Sequence, residues 1–332
     1  MGSYLTRRGF CALGASTALP VLARLGTGSA HAQAVQPRFA TLMPGISIIL
    51  ESFIRHQKLD VANNVNLKSA SQYTSVQTYY NDFDVGNYDV CFGSWDTFAV
   101  RYLAGVPCKF LCSLMTGDTI KFVGQKSGGV DTIKGMHRHT IAAPQSTGTY
   151  RIARALLREK YGFDMQTEAS VQKVPGPAAA MTLLRSGSAD VALAWEPNIT
   201  AVTSQDSRLA PFASVGTEYS ALIGKPLPYI GIGVRTSLLE SDPSIGMRLG
   251  RMFQQCIEGI LADTDGAARI VGDRSGFSEQ VLKDVLRSRS LSLAFAPMWE
   301  ESGRDIVRTA AKFCARNELL AKVPDDAFFI TK

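Results

Sequence analysis

Short apolar runs alternate with amphipathic segments along most of this 332-residue chain. The runs are too short for helices and are typical of strands buried on both faces of a parallel sheet. The segments between them have apolar residues at helical spacing and end near glycine or proline. In the first part of the chain, the pattern predicts strands over residues 38–43, 64–70, 90–94 and 109–115, with helices over 47–56, 73–85 and 96–103. This order predicts an α/β lobe with a mainly parallel sheet.

Residues 117–130 change in character and are interpreted as a crossing into a second lobe. The elements predicted there are strands over 140–143 and 171–174 and helices over 150–161 and 177–185. Residues 229–235 form an extended, glycine-spaced segment that we expect to return the chain to the first lobe as a strand. The expected domains are a first lobe over residues 33–118 and 234–332 and a second lobe over 119–233.

From residue 242 onward the pattern is helical. One helix has apolar residues at i, i+3, i+4 and i+7 spacing, which predicts a face packed against a sheet. Its apolar residues are Leu249, Met252, Phe253, Cys256, Ile257, Ile260 and Leu261. We expect the helices over residues 297–321 to pack on the first lobe as well.

A short phrase occurs twice, once in each predicted lobe. Residues 86–96 read GNYDVCFGSWD, and residues 187–196 read GSADVALAWE. In each copy we expect the glycine just past a helix, where a left-handed residue is favoured, and the apolar run as a buried strand. The tryptophan and the acid then fall at the carboxyl end of the strand, where ligands bind in parallel sheets. The doubled phrase therefore predicts two similar α/β lobes that face a common cleft.

Three loops combine a strand end, a hydroxyl group and a helix start, over residues 44–47, 94–96 and 146–149. Free backbone N–H groups at helix starts favour an anionic group, although one such loop alone would be only an N-cap. Because the loops come from both lobes, we expect them to converge on one cleft. The predicted ligand-binding residues are Gly45, Ile46, Ser47, Ser94, Trp95, Asp96, Ser146, Thr147, Gly148, Thr149, Trp195, Glu196 and Tyr229.

Trp95 and Trp195 either fill the core or form walls of the cleft. Each stands beside an acid at a strand end, where burial would remove the carboxylate from water, so the cleft position is favoured. Asp96 and Glu196 are either acids at helix starts or partners of an ammonium or donor group on the ligand, with the indoles adding cation–π attraction. Arg151 and the neighbouring arginines of its helix are interpreted as a solvated face.

The chain begins with a twin-arginine sequence, in which Arg7 and Arg8 precede a mildly apolar stretch over residues 11–25. The stretch is too short to span a membrane. Small residues near its end predict cleavage close to Ala32, so residues 1–32 are predicted to be a signal peptide for twin-arginine export to the periplasm. This segment holds three arginines and no acid, so its removal lowers the formal net charge from +6 to +3. A net charge this small does not indicate binding of nucleic acid.

Motifs of enzymatic sites are absent from the sequence. There is no G-x-S-x-G, Walker A, H-E-x-x-H or paired C-x-x-C motif, so we predict no catalysis and no cofactor. Five cysteines follow the signal peptide and are interpreted as buried small hydrophobes, with a disulfide between Cys108 and Cys112 left open. His137 and His139 would point apart in an extended segment, so no metal site is predicted.

The phrases, taken in order, resemble those of the periplasmic substrate-binding proteins of ABC importers in the nitrate, taurine and alkanesulfonate class. That class includes proteins similar to pyrimidine-precursor synthases. The resemblance is carried by residues 86–94, 105–107, 132–142 and 184–197 and spans roughly residues 38–240. It implies a two-lobed periplasmic binding protein fold of type II that closes on a small solute by hinge bending. It also implies a monomer that docks on an inner-membrane ABC permease with its ATPase.

The resemblance places the ligand at the three loops and at Trp195 and Glu196 without naming the ligand. His137 and His139 partly replace basic residues expected before the first strand of the second lobe. No lysine or arginine lies in the three loops, which weakens a simple inorganic anion such as nitrate. The cysteine-rich motif of the synthases is absent, which argues against that enzymatic branch.

The predicted function is the capture of a small organic anion or zwitterion for an ABC importer. A taurine-like or aromatic sulfonate is favoured first, and an aromatic carboxylate or nitrogen heterocycle second. Ser94 and residues 146–149 would hold the sulfonate or carboxylate, and Trp95 and Trp195 would stack on the rest of the ligand. Two alternatives stay open: a cofactor-dependent enzyme of the pyrimidine-precursor synthase type, and a sensor module that signals to a membrane receptor.

Overall fold

The computed structural model describes residues 36–127 and 129–331. The predicted signal peptide, residues 1–32, lies outside these residues, and the export route and cleavage site stay predictions. Among the described residues, every helix is too short or too polar to span a bilayer.

Within the described residues the chain forms eleven strands and fourteen α-helices. The strands are β1 (Arg38–Leu42), β2 (Lys68–Tyr73), β3 (Val90–Ser94), β4 (Cys108–Met115), β5 (Ile120–Gln125), β6 (Thr140–Ala143), β7 (Ser170–Lys173), β8 (Val191–Trp195), β9 (Leu209–Ser214), β10 (Ile230–Arg235) and β11 (Leu293–Pro297). The helices are α1 (Ile46–His56), α2 (Leu59–Ala62), α3 (Val76–Asp84), α4 (Trp95–Leu103), α5 (Gly148–Tyr161), α6 (Met165–Glu168), α7 (Pro177–Arg185), α8 (Asn198–Thr203), α9 (Val215–Ile223), α10 (Thr236–Ser241), α11 (Ile245–Ala262), α12 (Thr264–Val271), α13 (Glu279–Arg287) and α14 (Glu301–Arg316).

Two mixed sheets organise these elements. The first has the strand order β11-β4-β10-β3-β1-β2, and the second has the order β7-β6-β8-β5-β9. In the first sheet, β1 is parallel to β2 and β3, whereas β10 is antiparallel to both of its neighbours. In the second sheet, β6 is parallel to β7 and β8, whereas β5 is antiparallel to both of its neighbours. The predicted fold of two sheets flanked by helices is therefore confirmed, with two reversed strands, β10 and β11, in the first sheet and one, β5, in the second.

Two neighbouring segments connect the sheets, and each leads into one of the reversed strands. One runs from β4 to β5, and the other runs from α9 to β10. They contact each other, since Gly117 N donates to Leu227 O at 2.8 Å and Thr116 pairs with Pro228. The return of the chain to the first sheet through β10 was predicted, but strand β5 within the crossing was not. Two adjacent crossings are the connection that hinge bending between two sheets requires.

The doubled phrase has the same structural role in both sheets. Gly86 and Gly187 adopt φ values of 83° and 75°, and each lies just past a helix, as predicted. The phrase's aspartate then accepts a hydrogen bond from the first residue of the neighbouring strand: Asp89 from Arg38 N and Asp190 from Thr140 N, both at 2.9 Å. The glycine thus ends a helix, and the aspartate fixes where the next strand begins beside its partner.

Helix α11 covers the first sheet with the predicted stripe. All of its predicted residues are buried except Leu261, which is partly buried. Helix α14 contacts strand β11 of the first sheet, as predicted, and it also contacts helices that follow strands of the second sheet. Phe313 contacts the Tyr219 ring of α9 at 5.3 Å between centroids, and Arg316 pairs with Glu159 of α5 at 2.6 Å. Since one core cluster contains residues of both sheets, α14 covers the junction between them.

Candidate functional site

A cavity of about 470 Å³ gathers the loops at the strand ends of both sheets. The loops come after β1 and β3 in the first sheet and after β6 and β8 in the second. Of the predicted binding residues, those in the lining are Gly45, Ile46, Ser47, Ser94, Ser146, Thr147, Gly148, Thr149, Trp195, Glu196 and Tyr229. The remaining two, Trp95 and Asp96, lie outside the lining.

The loop after β1 offers backbone donors rather than a free hydroxyl. Ser47 is buried, and its Oγ accepts a hydrogen bond from Leu42 N at 2.9 Å, so the side chain completes the strand end. A side chain at Gly45 would clash with that strand, because an added Cβ would lie 2.6 Å from Leu42 O. Helix α1 has no side-chain cap, which leaves N–H groups of its first turn as donors at the cavity.

Helix α5 begins at the cavity with a threonine cap. Thr147 Oγ1 accepts from Tyr150 N at 3.2 Å and donates to Pro144 O at 2.8 Å. Gly148 and Thr149 are the first two residues of the helix, and both lie in the lining. The first N–H groups of a helix have no intrahelical acceptor, and the helix dipole is positive there. This helix start therefore favours an anionic group.

Thr149 also connects the two halves of the cavity. Its Oγ1 donates to the Tyr229 hydroxyl at 3.3 Å, which joins α5 to the residue before β10. Burial raises the pKa of Tyr229, so the phenol is a neutral hydrogen-bonding group near neutral pH. On the first-sheet side, Ser94 Oγ lies 2.7 Å from Thr97 Oγ1, and both residues are in the lining.

The carboxylate of Glu196 is bound by the protein itself. The residue is 2% exposed, its Oε1 lies 3.4 Å from Lys121 Nζ on β5, and its Oε2 accepts from Thr200 N of α8 at 2.9 Å. Both oxygens therefore have partners, as expected for an acid at a helix start. Of the two interpretations of Glu196, this structure favours the helix-start acid over a partner for a ligand ammonium.

The two tryptophans of the doubled phrase occupy different environments. Trp195 ends β8 and lines the cavity, whereas Trp95 begins α4 and is 1% exposed in the core. Trp95 follows Gly86 by nine residues, but Trp195 follows Gly187 by eight. Since a shift of one residue moves a strand side chain to the other face, the tryptophans are not equivalent. The expectation that Trp95 forms a cleft wall is corrected: Trp95 is a core residue.

Two arginines that the sequence did not assign to the site lie in the cavity lining, Arg101 on α4 and Arg151 on α5. Arg101 Nε donates to Asp84 Oδ1 at 2.8 Å, and its guanidinium lies over the Tyr80 ring at 4.3 Å. Arg151 forms no ion pair with any residue that the structure describes. Arg151 is exposed, as the interpretation of a solvated face expects, and it also lies in the cavity lining, which the sequence did not indicate.

A sequence signal for both arginines exists. Arg101 comes four residues after Thr97, and Arg151 comes four residues after Thr147. Residues four apart lie on the same face of a helix, so a side chain one turn beyond a cleft loop also faces the cleft. A search of the first two helical turns past each loop would have found both positive charges.

The cysteines and histidines considered as candidate chemical groups lie outside the cavity lining in the described part of the chain. Its five cysteines are buried and free, so Cys108 and Cys112 form no disulfide. No group of three or more metal-ligating side chains occurs among residues 36–127 and 129–331. His139 lies 3.1 Å from Asp190 at the surface, away from the cavity lining.

Several solved structures with this architecture are binding proteins. The periplasmic aliphatic sulphonate binding protein SsuA from Escherichia coli is 14% identical, with a TM-score of 0.71 over 90% of this chain and 92% of that chain. The alkanesulfonate-binding protein SsuA from Xanthomonas axonopodis pv. citri, bound to MOPS, is 14% identical, with a TM-score of 0.66 over 88% and 95%. A ligand-binding component of an ABC-type import system from Staphylococcus aureus, with zinc bound, is 13% identical, with a TM-score of 0.67 over 89% and 96%.

At these identities the likeness establishes the fold. The chain has the fold of periplasmic binding proteins, which confirms the predicted fold class. No protein-family model and no curated protein matches the sequence. Function therefore has to be argued from the cavity itself.

Proposed function

We propose that this chain is the solute-binding component of an ABC importer and that it captures a small organic anion in the cavity between its two sheets. The observation that carries the proposal is that positive charge at the cavity is free while the negative charge in its lining is already neutralised. The start of α5 and the unpaired Arg151 supply positive potential, while the lining acid Glu196 is already bound to Lys121. A ligand with a negative group fits such a site better than a ligand with an ammonium group.

The lining also indicates the rest of the ligand. Trp195, Tyr80 and Phe277 line the cavity and offer flat apolar surface on which a ring or alkyl chain can pack. An aromatic or alkyl sulfonate is therefore the preferred class, and an aromatic carboxylate is the second. A taurine-like zwitterion ranks below both, because its ammonium group would meet no unpaired acid in the lining. Two of the similar structures are described as sulfonate-binding proteins, which agrees with this preference.

The proposed transport cycle uses the two crossings as a hinge. The lobe built on the first sheet and the lobe built on the second sheet close on the ligand by bending near Gly117 and Leu227, where the two crossings contact each other. After removal of residues 1–32 the protein works in the periplasm. There it delivers its ligand to a membrane permease, as binding proteins of import systems do.

Calorimetry with a panel of anions tests the proposal. The probes are benzenesulfonate, ethanesulfonate, MOPS, benzoate and taurine, titrated into the mature protein. We expect micromolar or tighter binding of at least one sulfonate and weaker binding of taurine. Replacing Arg151 by alanine removes a charge that contacts the bound anion and should weaken that sulfonate about tenfold or more.

The matched control is Arg158→Ala, which removes the same charge from the same helix outside the cavity lining. This variant should bind with wild-type affinity. Absence of measurable heat with every probe would refute the anion-binding function. Equal weakening by Arg151→Ala and Arg158→Ala would show that the effect comes from net charge and not from the site.

A further inference from the structure

The carboxylate of Asp96 extends from a helix that follows the first sheet to the start of a helix that follows the second, outside the cavity lining. Asp96 lies in the first turn of α4, which follows the first sheet, and is 7% exposed. It fills the space beside Gly148, the first residue of α5 on the second sheet. A Cβ added to Gly148 would overlap Asp96 Oδ2 and would lie 3.1 Å from Cγ. Because Gly148 itself lines the cavity, this carboxylate stands directly behind the helix start that favours an anion.

No lysine, arginine or histidine of the described residues forms an ion pair with Asp96. The titratable groups of neighbouring elements that interact electrostatically with it are Arg151 of α5, Tyr80 of α3, Tyr229 before β10 and Cys314 of α14. Burial raises the pKa of the two tyrosines and the cysteine, so these three groups are neutral near neutral pH. Of the four groups, Arg151 is therefore the charged one. Burial also raises the pKa of Asp96, and hydrogen bonding and Arg151 offset only part of that rise.

We propose that Asp96 sets the anion affinity of the cavity through its proton: it repels an anion at the start of α5 while ionised, and it takes up a proton when such an anion binds. The inference rests on the proposed function, because it requires an anion at that helix start. Two like charges about 5 Å apart in an effective dielectric of about 20 change an affinity by more than tenfold. Arg151 and solvent reduce this repulsion, so an effect of about tenfold is expected.

The sign of the pH dependence follows from this geometry. A bound anion raises the pKa of Asp96 further, so the complex holds a proton that the free protein releases at lower pH. Anion affinity is therefore highest at low pH, where Asp96 is neutral in both forms. It falls as the pH rises through the two pKa values and then levels off once Asp96 is ionised in both. A sulfonate probe keeps its own charge across this range, so the change belongs to the protein.

The test compares wild type with Asp96→Asn, which keeps the shape and removes the charge. Binding of benzenesulfonate is measured by calorimetry from about pH 4.5 to about pH 8.5, in two buffers with different ionisation enthalpies. Wild type should lose about tenfold in affinity toward high pH and take up a proton on binding. Asp96→Asn should bind without proton uptake, with equal affinity at each pH and more tightly than wild type at high pH.

Asp131→Asn is the matched control, because it removes the same charge from an exposed residue outside the cavity lining. It should keep the wild-type pH profile. If Asp96→Asn does not fold, Asp96→Ser replaces it with the same expectation. A pH profile of Asp96→Asn identical to wild type would overturn this inference and leave the proposed function standing. Failure of wild type and variant to bind any sulfonate or carboxylate would refute the proposed function and this inference with it.

Discussion

Alanine replacement of the two tryptophans in the doubled phrase is expected to separate stability from binding. Trp95 is 1% exposed in the core cluster that spans both sheets. Truncation of such a residue costs about 3–5 kcal/mol of the free energy of unfolding, through lost burial and the cavity left behind. The indole Nε1 of Trp95 has no hydrogen-bond partner among the described residues. Its removal returns about 1–3 kcal/mol, so with the middle of each range Trp95→Ala should destabilise the protein by about 2 kcal/mol.

Trp195 should behave in the opposite way. It is partly exposed and lines the cavity, so Trp195→Ala should lower the free energy of unfolding by less than about 1 kcal/mol. Its loss removes the flat surface beneath the ligand and should weaken a bound sulfonate about tenfold. Trp95→Phe is the matched control, since it keeps an aromatic ring in the core while it removes the unpaired donor and part of the ring volume. It should cost less than half as much as Trp95→Ala.

Urea unfolding followed by circular dichroism gives the stability of each variant, and calorimetry gives its affinity. The refuting result is an exchange of roles. Wild-type stability of Trp95→Ala together with weak binding would place Trp95 in the cavity. A large loss of stability in Trp195→Ala with unchanged affinity would remove Trp195 from the site.

Two further predictions concern the framework. Asp89→Asn should lower the free energy of unfolding by about 1–2 kcal/mol, which is more than the loss in Asp190→Asn. The reason is that Asp89 also binds Arg38 Nε at 2.9 Å and a second guanidinium nitrogen at 2.7 Å. Urea unfolding compares the two variants, and equal losses would contradict the prediction. Cys91 and Cys108 should not react with a thiol reagent in the folded protein, because burial raises the pKa of each to about 12. An Ellman assay before and after unfolding measures the reactive thiols, and fast reaction of the native protein would disprove the prediction.

The sheet edges were predictable because local rules determine them. A left-handed glycine after a helix and a short apolar run identify a strand start, which is how Gly86 and Gly187 located β3 and β8. The carboxyl ends of parallel strands share one edge, so loops after β1, β3 and β6 were expected together, and the cavity contains all three. These inferences need only the neighbouring residues of each position.

Features that depend on distant partners were not predictable in the same way. Strand β5 pairs with β8 and β9, and nothing in its own sequence reveals those neighbours. The burial of Trp95 depends on where β3 ends and α4 begins, and a difference of one residue decides it. Arg151 was assigned to solvent because its helix has polar residues on several sides, and only the facing sheet turns one of those sides into a cavity wall.

The charges around the cavity decide between an anion and a zwitterion. Lys121 pairs with Glu196 and Asp84 pairs with Arg101, so each of these charges is already balanced within the protein. Arg151 and Asp96 remain, and neither forms an ion pair with any residue that the structure describes. An anion bound beside Arg151 balances its charge only if Asp96 is neutral, and an ionised Asp96 leaves one negative charge too many in a buried place. To pair with a ligand's ammonium group, Asp96 would have to lie in the cavity lining. The structure places Asp96 behind Gly148 instead. The same carboxylate, which lies outside the lining, therefore links capture of an anion to uptake of a proton.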